Sequence, residues 1–170
     1  MFAQVSHVEY LSINCFFHRS ISKRCDCCKL PKEGFPESLP NLKKLELKFD
    51  CDLMVVLLHI LKCSFNLESL HLIAPKNISS YEVKRFFEEL KGVETRRTLT
   101  RHLKRVEFSD FKGGKETLDI ARFLLEHGNA LEEMVFSRSD RDTYHKQIMK
   151  AMDKVSNFYK ASSSAKVITL

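Results

Sequence analysis

The chain has 170 residues, 44% of them apolar, and 28 Lys and Arg against 22 Asp and Glu give it a formal charge of +6. That length suits one domain with a core of its own, and the charge is modest enough to need no role beyond solubility. The longest apolar run, LMVVLLHIL at 53–61, is too short to cross a membrane, and the first ten residues lack the basic start and apolar stretch of a secretory signal; an intracellular chain, cytoplasmic or nuclear, with no membrane partner is expected.

The first predicted element is a strand in VEYLSI. Its apolar residues Val8, Leu11 and Ile13 are spaced by three and then by two. A helix would continue at three or four and a plain strand at two. NLKKLEL repeats the spacing with Leu42, Leu45 and Leu47, and NLESLHL with Leu67, Leu70 and Leu72. HLKRVEF follows with Leu103, Val106 and Phe108, and ALEEMVF with Leu131, Met134 and Phe136. The copies begin at 8, 42, 67, 103 and 131, so the steps are 34, 25, 36 and 28 residues. Two of these fall in the range of leucine-rich repeats and two exceed it. In such a unit the first apolar residue packs as the chain turns into the strand. The next two point inward, and the residue between them points outward. The competing reading is a chance recurrence of short amphipathic strands in an α/β domain.

Between the first two strands lies a polar, cysteine-rich insertion, residues 14–40, closed by Pro31, Pro36 and Pro40. Within it Cys25, Cys27 and Cys28, with His18 or Cys15, have the donor chemistry of a zinc site. Structural zinc sites, however, use two separated pairs of ligands, and no second pair follows at suitable spacing. Neither a metal nor a cofactor is expected, and the six cysteines of the chain are expected to be reduced thiols.

Strand KLELKF comes next, with Leu45, Leu47 and Phe49 on one side, and then helix DLMVVLLHILKC, apolar nearly all round and so well buried. Strand LESLHLI is broken off by Pro75 and Asn77. In SSYEVKRFFEELKG, Ser79 and Glu82 have capping-box spacing, Val83, Phe86, Phe87 and Leu90 form the buried face, and Gly92 ends the helix. A basic connection, ETRRTLTRH, leads to strand LKRVEFSDF. Helix GGKETLDIARFLLEHG is bounded by glycine at both ends, with Leu118, Ile120, Ala121, Leu124 and Leu125 as its apolar stripe. After strand EEMVF a last helix is expected over about 142–160, burying Tyr144, Ile148, Met152, Val155 and Tyr159. The tail AKVITL reads as a final strand at the sheet edge.

Strand and helix alternate with short crossovers, which favours parallel strands. The expected fold class is α/β: an irregular leucine-rich-repeat-like solenoid with parallel strands and outer helices, each unit burying its apolar face on the next. The block HLKRVEFSDFKGGKETLDIARFLLEHGNALEEMVFSRSD resembles the FBD domain of plant F-box/FBD/leucine-rich-repeat proteins. The tail FYKASSSAKVITL resembles the end of that domain, and NLKKLELKF and LKCSFNLESLHLI resemble the leucine-rich segment before it. The resemblance covers roughly residues 39–170. It implies residues 1–92 as a degenerate leucine-rich-repeat region holding the insertion 14–40, and residues 93–170 as an FBD domain continuing the same solenoid. It also implies a protein-interaction role, the substrate-recognition half of an SCF-type ubiquitin ligase subunit. There are departures. No helical F-box module opened by Leu-Pro is visible, so direct binding of the adaptor is not expected. The eighth position after the first apolar residue of each copy, often Asn or Cys in such repeats, holds Phe16, Asp50, Pro75, Phe111 and Ser139.

No nucleophile elbow, metal-binding helix motif or phosphate loop occurs, so no enzyme is expected. FKGGKET, 111–117, has two glycines and two lysines near a helix start but reads as a tight turn, and Asp110, Glu116 and Asp119 have no evident acid–base partner. The basic stretch 96–105, with Arg96, Arg97, Arg101, Lys104 and Arg105, could meet phosphates, but Leu103 within it and Val106 next to it belong to the repeat core and no recognised nucleic-acid module accompanies it. Nucleic-acid binding through this patch is thus the alternative function, beside a structural remnant without a partner. The central residues of LEL, LHL and VEF, namely Glu46, His71 and Glu107, should face outward in one row, with Ser12 before them and Val135 after. That row would suit an unknown protein target offering a basic and partly apolar segment. The plainer alternative is that His71 merely sits between two carboxylates.

Overall fold

The computed structural model describes residues 7–14, 38–48, 53–73, 80–90, 101–138 and 142–170. Six strands, β1 (Tyr10–Asn14), β2 (Lys44–Lys48), β3 (Ser69–Ile73), β4 (Arg105–Phe111), β5 (Glu133–Arg138) and β6 (Lys166–Thr169), form one sheet in chain order. Every neighbouring pair is parallel. Among the described residues four α-helices lie between them: α1 (Leu53–Cys63), α2 (Ser80–Leu90), α3 (Lys115–His127) and α4 (His145–Ser156), the last preceded by a 3-10 turn at Asp142–Tyr144. Helix α1 packs on α2, α2 on α3 and α3 on α4, so the helices follow the order of the strands.

The three-then-two spacing has a backbone cause. Just before each strand, one carbonyl accepts two N–H groups from the next unit: Glu9 from Lys43 and Lys44, Lys43 from Glu68 and Ser69, Glu68 from Lys104 and Arg105, Lys104 from Glu132 and Glu133. To offer both N–H groups sideways the chain turns at this point. The turn adds the third residue between the first leucine and the strand. Those first leucines, Leu42, Leu67, Leu103 and Leu131, are all at most 1% exposed.

The core lies between sheet and helices. Leu45, Leu47, Leu70, Leu72, Val106, Phe108, Met134 and Phe136 point into it from the strands, as expected. They meet Leu57, Ile60 and Leu61 of α1, Val83, Phe86 and Leu90 of α2, and Ile120, Ala121, Leu124 and Leu125 of α3. Phe87, expected inside, is only half-buried; it stacks on Phe123 of α3 at 4.8 Å between ring centres.

Strand β4 departs from a plain alternation. Its register with β5 shifts between Phe108 and Phe111, and Asp110 adopts φ 53°. This bulge lets both Phe108 and Phe111 face the core, where each packs on Phe136, at 5.1 and 4.8 Å. The following Gly113 has φ 76°, and a Cβ there would lie 2.8 Å from the Gln147 carbonyl oxygen of α4. FKGGKET is therefore a turn whose glycine is demanded by conformation and by close backbone packing.

Helix α4 ends earlier than expected. Ser156 Oγ and Asn157 Nδ2 both donate to the Asp153 carbonyl, and the chain leaves the helix at Asn157. Tyr159 thus falls outside it and is 69% exposed, while Ala151 joins Ile148 and Val155 on the buried side. Leu39, at the far end of the expected insertion, is part of the core, tied by its N–H to the Cys63 carbonyl. The cysteines at 15, 25, 27, 28 and 51, together with His18, Phe49, Ser79, Gly92, Arg96 and Arg97, lie outside the described residues.

Candidate functional site

The sheet register places Ser12, Glu46, His71, Glu107, Val135 and Ile168 side by side, one per strand. These residues alternate with the inward ones, so they occupy the face opposite the helices. Ser12, Glu46, His71 and Glu107 are partly or fully exposed. Val135 takes its expected place in the row but is 1% exposed and lies apart from the main core. It offers no surface to a partner. The accessible row therefore runs from Ser12 to Glu107 and resumes at the half-buried Ile168.

Hydrogen bonds join the polar members. Ser12 Oγ donates to Glu46 Oε1 at 3.0 Å. His71 Nδ1 lies 3.2 Å from Glu46 Oε2, and its Nε2 lies 2.8 Å from Ser109 Oγ and 3.9 Å from Glu107 Oε1. Arg105 donates to Glu107 Oε2 at 3.3 Å and also to Glu133. The carboxylate of Glu46 is acceptor-only, so the facing Nδ1 of His71 carries a proton. In the neutral ring Nε2 is then an acceptor within reach of the Ser109 hydroxyl, which also stands 3.4 Å from Glu107 Oε1 as a donor.

Ser109 and Glu133 belong to this cluster although neither is among the expected members of the row, and Arg105, expected in a basic patch, is drawn into it as well. Their signal was available: Arg105 and Ser109 stand two residues either side of Glu107 and so share its face. Which strand each would reach depends on register, which a single sequence does not display.

The basic stretch is largely compensated where it is described. Arg105 is held by two glutamates, and Lys104 Nζ is 3.9 Å from Glu68. Among the described residues no cluster of three or more metal-ligating side chains occurs, and no helix is long and apolar enough to cross a membrane. Cys63 is 4% exposed, and burial pushes its thiol up to about 11, its own backbone hydrogen bond opposing. Such a thiol is protonated and unreactive at neutral pH.

The stretch that builds β4, the bulge, the glycine turn, α3 and most of β5 is also the one with a known counterpart. Residues 96–136 match the FBD family model. The FBD match takes in Arg105, Glu107, Ser109 and Glu133, so one half of the polar network belongs to it, while Ser12, Glu46 and His71 come from the strands before. Helix α4 and strand β6 lie beyond the FBD match. Comparison with curated proteins and with solved structures finds no match.

Proposed function

We propose that this chain is a protein-interaction module, an irregular leucine-rich-repeat-like solenoid whose closing part is an FBD domain, akin to the substrate-recognition region of plant F-box proteins in SCF-type ubiquitin ligases. The single observation that carries this reading is the open sheet face, on which side chains from successive strands stand in register and stay accessible. Parallel strands about 4.8 Å apart make the row continuous from Ser12 to Glu107, and a row of that kind suits an extended partner segment. The association of FBD domains with F-box proteins points the same way. Glu46 and Glu107 beside an imidazole, with Ile168 at the far end, favour a partner segment that is basic with an apolar end. The pairing of Lys104 and Arg105 with glutamates counts against a phosphate-binding patch at 96–105.

Proximity labelling in the native cell would supply candidate targets. With a target in hand, Glu46, His71 and Glu107 are replaced together by Ala. Binding is expected to fall at least about tenfold, or about 1.4 kcal/mol, with the circular dichroism spectrum and melting curve retained. Unchanged affinity in the folded triple variant would remove the row as the binding site. These 170 residues alone are expected not to bind the adaptor that an F-box recruits; saturable pulldown of the purified adaptor would contradict that.

A further inference from the structure

Three adjacent strands bring a carboxylate, an imidazole and a hydroxyl into one hydrogen-bonded line. Glu46 of β2 faces His71 Nδ1 at 3.2 Å, and His71 Nε2 of β3 faces Ser109 Oγ of β4 at 2.8 Å. A hydroxyl in reach of a base that a third group orients is the arrangement that activates serine for acyl transfer.

The details agree with that arrangement. Glu46 holds the proton on Nδ1, which leaves Nε2 as a lone pair aimed at the serine. Glu107 Oε1 is a competing acceptor for the Ser109 proton, but at 3.4 Å it lies farther than Nε2. When Nε2 takes the proton, the resulting imidazolium sits between Glu46 at 3.2 Å and Glu107 at 3.9 Å, both of opposite charge. The side chains of His71, Glu46 and Glu107 remain 28%, 30% and 25% exposed, so a small substrate can reach them.

We infer that Ser109 is an activated nucleophile that accepts acyl groups from activated esters, with His71 as its general base and Glu46 as the residue that positions His71. Ser109 Oγ bonds to the ester carbonyl carbon as its proton passes to His71 Nε2. The bond from that carbon to the leaving oxygen then breaks, and the proton on Nε2 goes to the leaving alcohol or phenol. Water attacks the acyl-serine and gives one proton to Nε2. The carboxylic acid departs, and Ser109 recovers the proton. The three groups supply nucleophile, base and orientation. Amides would need strong oxyanion stabilisation as well, so the substrate class is esters with good leaving groups.

The test uses the purified chain and p-nitrophenyl acetate at neutral pH, with acetylated peptides mapped by mass spectrometry. Acetyl, trapped by acid quench within the first turnover, should appear on Ser109 at least tenfold faster than on the exposed Ser163. Ser109→Ala should remove that label. His71→Gln, which can keep a hydrogen bond to Ser109, should slow it at least tenfold with the melting curve unchanged, and this variant decides the matter should Ser109→Ala fail to fold. Glu46→Gln should slow the labelling of Ser109, and Glu46→Asp should restore part of the rate, with the melting curve retained in both. Acetyl groups only on lysines or spread evenly over exposed serines, or an unchanged Ser109 rate in His71→Gln, would overturn the inference and leave the line as a strand-registering hydrogen-bond network.

Discussion

At the scale of single residues, two positions carry effects that their identities alone understate. Gly113 combines a left-handed conformation with a 2.8 Å approach of its missing Cβ to the α4 backbone. Gly113→Ala should lower stability by about 1–3 kcal/mol in urea unfolding, since both the φ angle and the clash oppose it. The neighbouring Gly114 has φ −63° and only Thr117 Oγ1 near its missing Cβ, at 3.8 Å, so Gly114→Ala should change the midpoint little. Equal effects at the two glycines would show that the turn is not held as described. Leu72 is fully buried in the middle of the sheet, and Leu72→Ala should cost about 2–5 kcal/mol, the range for truncating a large aliphatic core residue. A loss below about 1 kcal/mol would mean that the site collapses around the smaller side chain.

At the scale of elements, the contact between α1 and α2 includes a charged bridge. Glu89 receives a hydrogen bond from Lys62 Nζ at 3.1 Å and another from Arg85 Nε at 3.1 Å. The Lys62 hydrogen bond, more than the burial that opposes it, holds the Glu89 carboxyl below its ordinary range, with Arg85 assisting. A carboxyl with a lowered pKa in the folded chain contributes stability that is present above its unfolded pKa and lost as pH falls through the folded value. Lys62→Met should therefore lower the melting temperature at neutral pH and leave it almost unchanged in strong acid, where Glu89 is protonated in either chain. The effect is small because the groups are exposed. A loss of equal size at both pH values would assign the role of Lys62 to packing rather than charge.

The elements also show what a single sequence displays. The apolar spacing located all six strands and the buried stripe of α3, because inward and outward positions alternate by geometry alone. The bulge at Asp110 escaped it: Ser109 and Asp110 between two phenylalanines read as ordinary strand, and only contact of Phe108 and Phe111 with Phe136 selects the extra residue. The end of α4 escaped it too, since Tyr159 continues a helical period that Ser156 and Asn157 terminate by bonding to Asp153. Of the polar row, Ser12, Glu46, His71 and Glu107 were legible from strand alternation. The cover over Val135, and the reach of His71 to Ser109 across 38 positions of chain, arise only from tertiary packing.

At the scale of the whole molecule, each described strand pairs only with its neighbours in the chain, so its backbone hydrogen bonds depend on the adjacent strands alone. The outer strands β1 and β6 have one paired neighbour each, and β3 and β4 lie at the centre. Amide hydrogen exchange should be slowest in β3, β4 and the face of α3 against them, and should quicken toward β1 and β6. Uniform protection from β1 to β6 would instead indicate one all-or-none unit.

The carbonyls that stack just before each strand belong to Glu9, Lys43, Glu68, Lys104 and Glu132, an unbroken alternation of sign. Lys43 Nζ stands 3.3 Å from Glu9 and Lys104 Nζ 3.9 Å from Glu68. Each exposed pair contributes less than about 1 kcal/mol to stability. Their alternation nevertheless depends on every strand being in place. If one unit were skipped during folding or deleted, Lys43 would meet Lys104, or Glu68 would meet Glu132, and like charges would repel at the spacing of neighbouring strands. Removing two consecutive units would restore opposite signs.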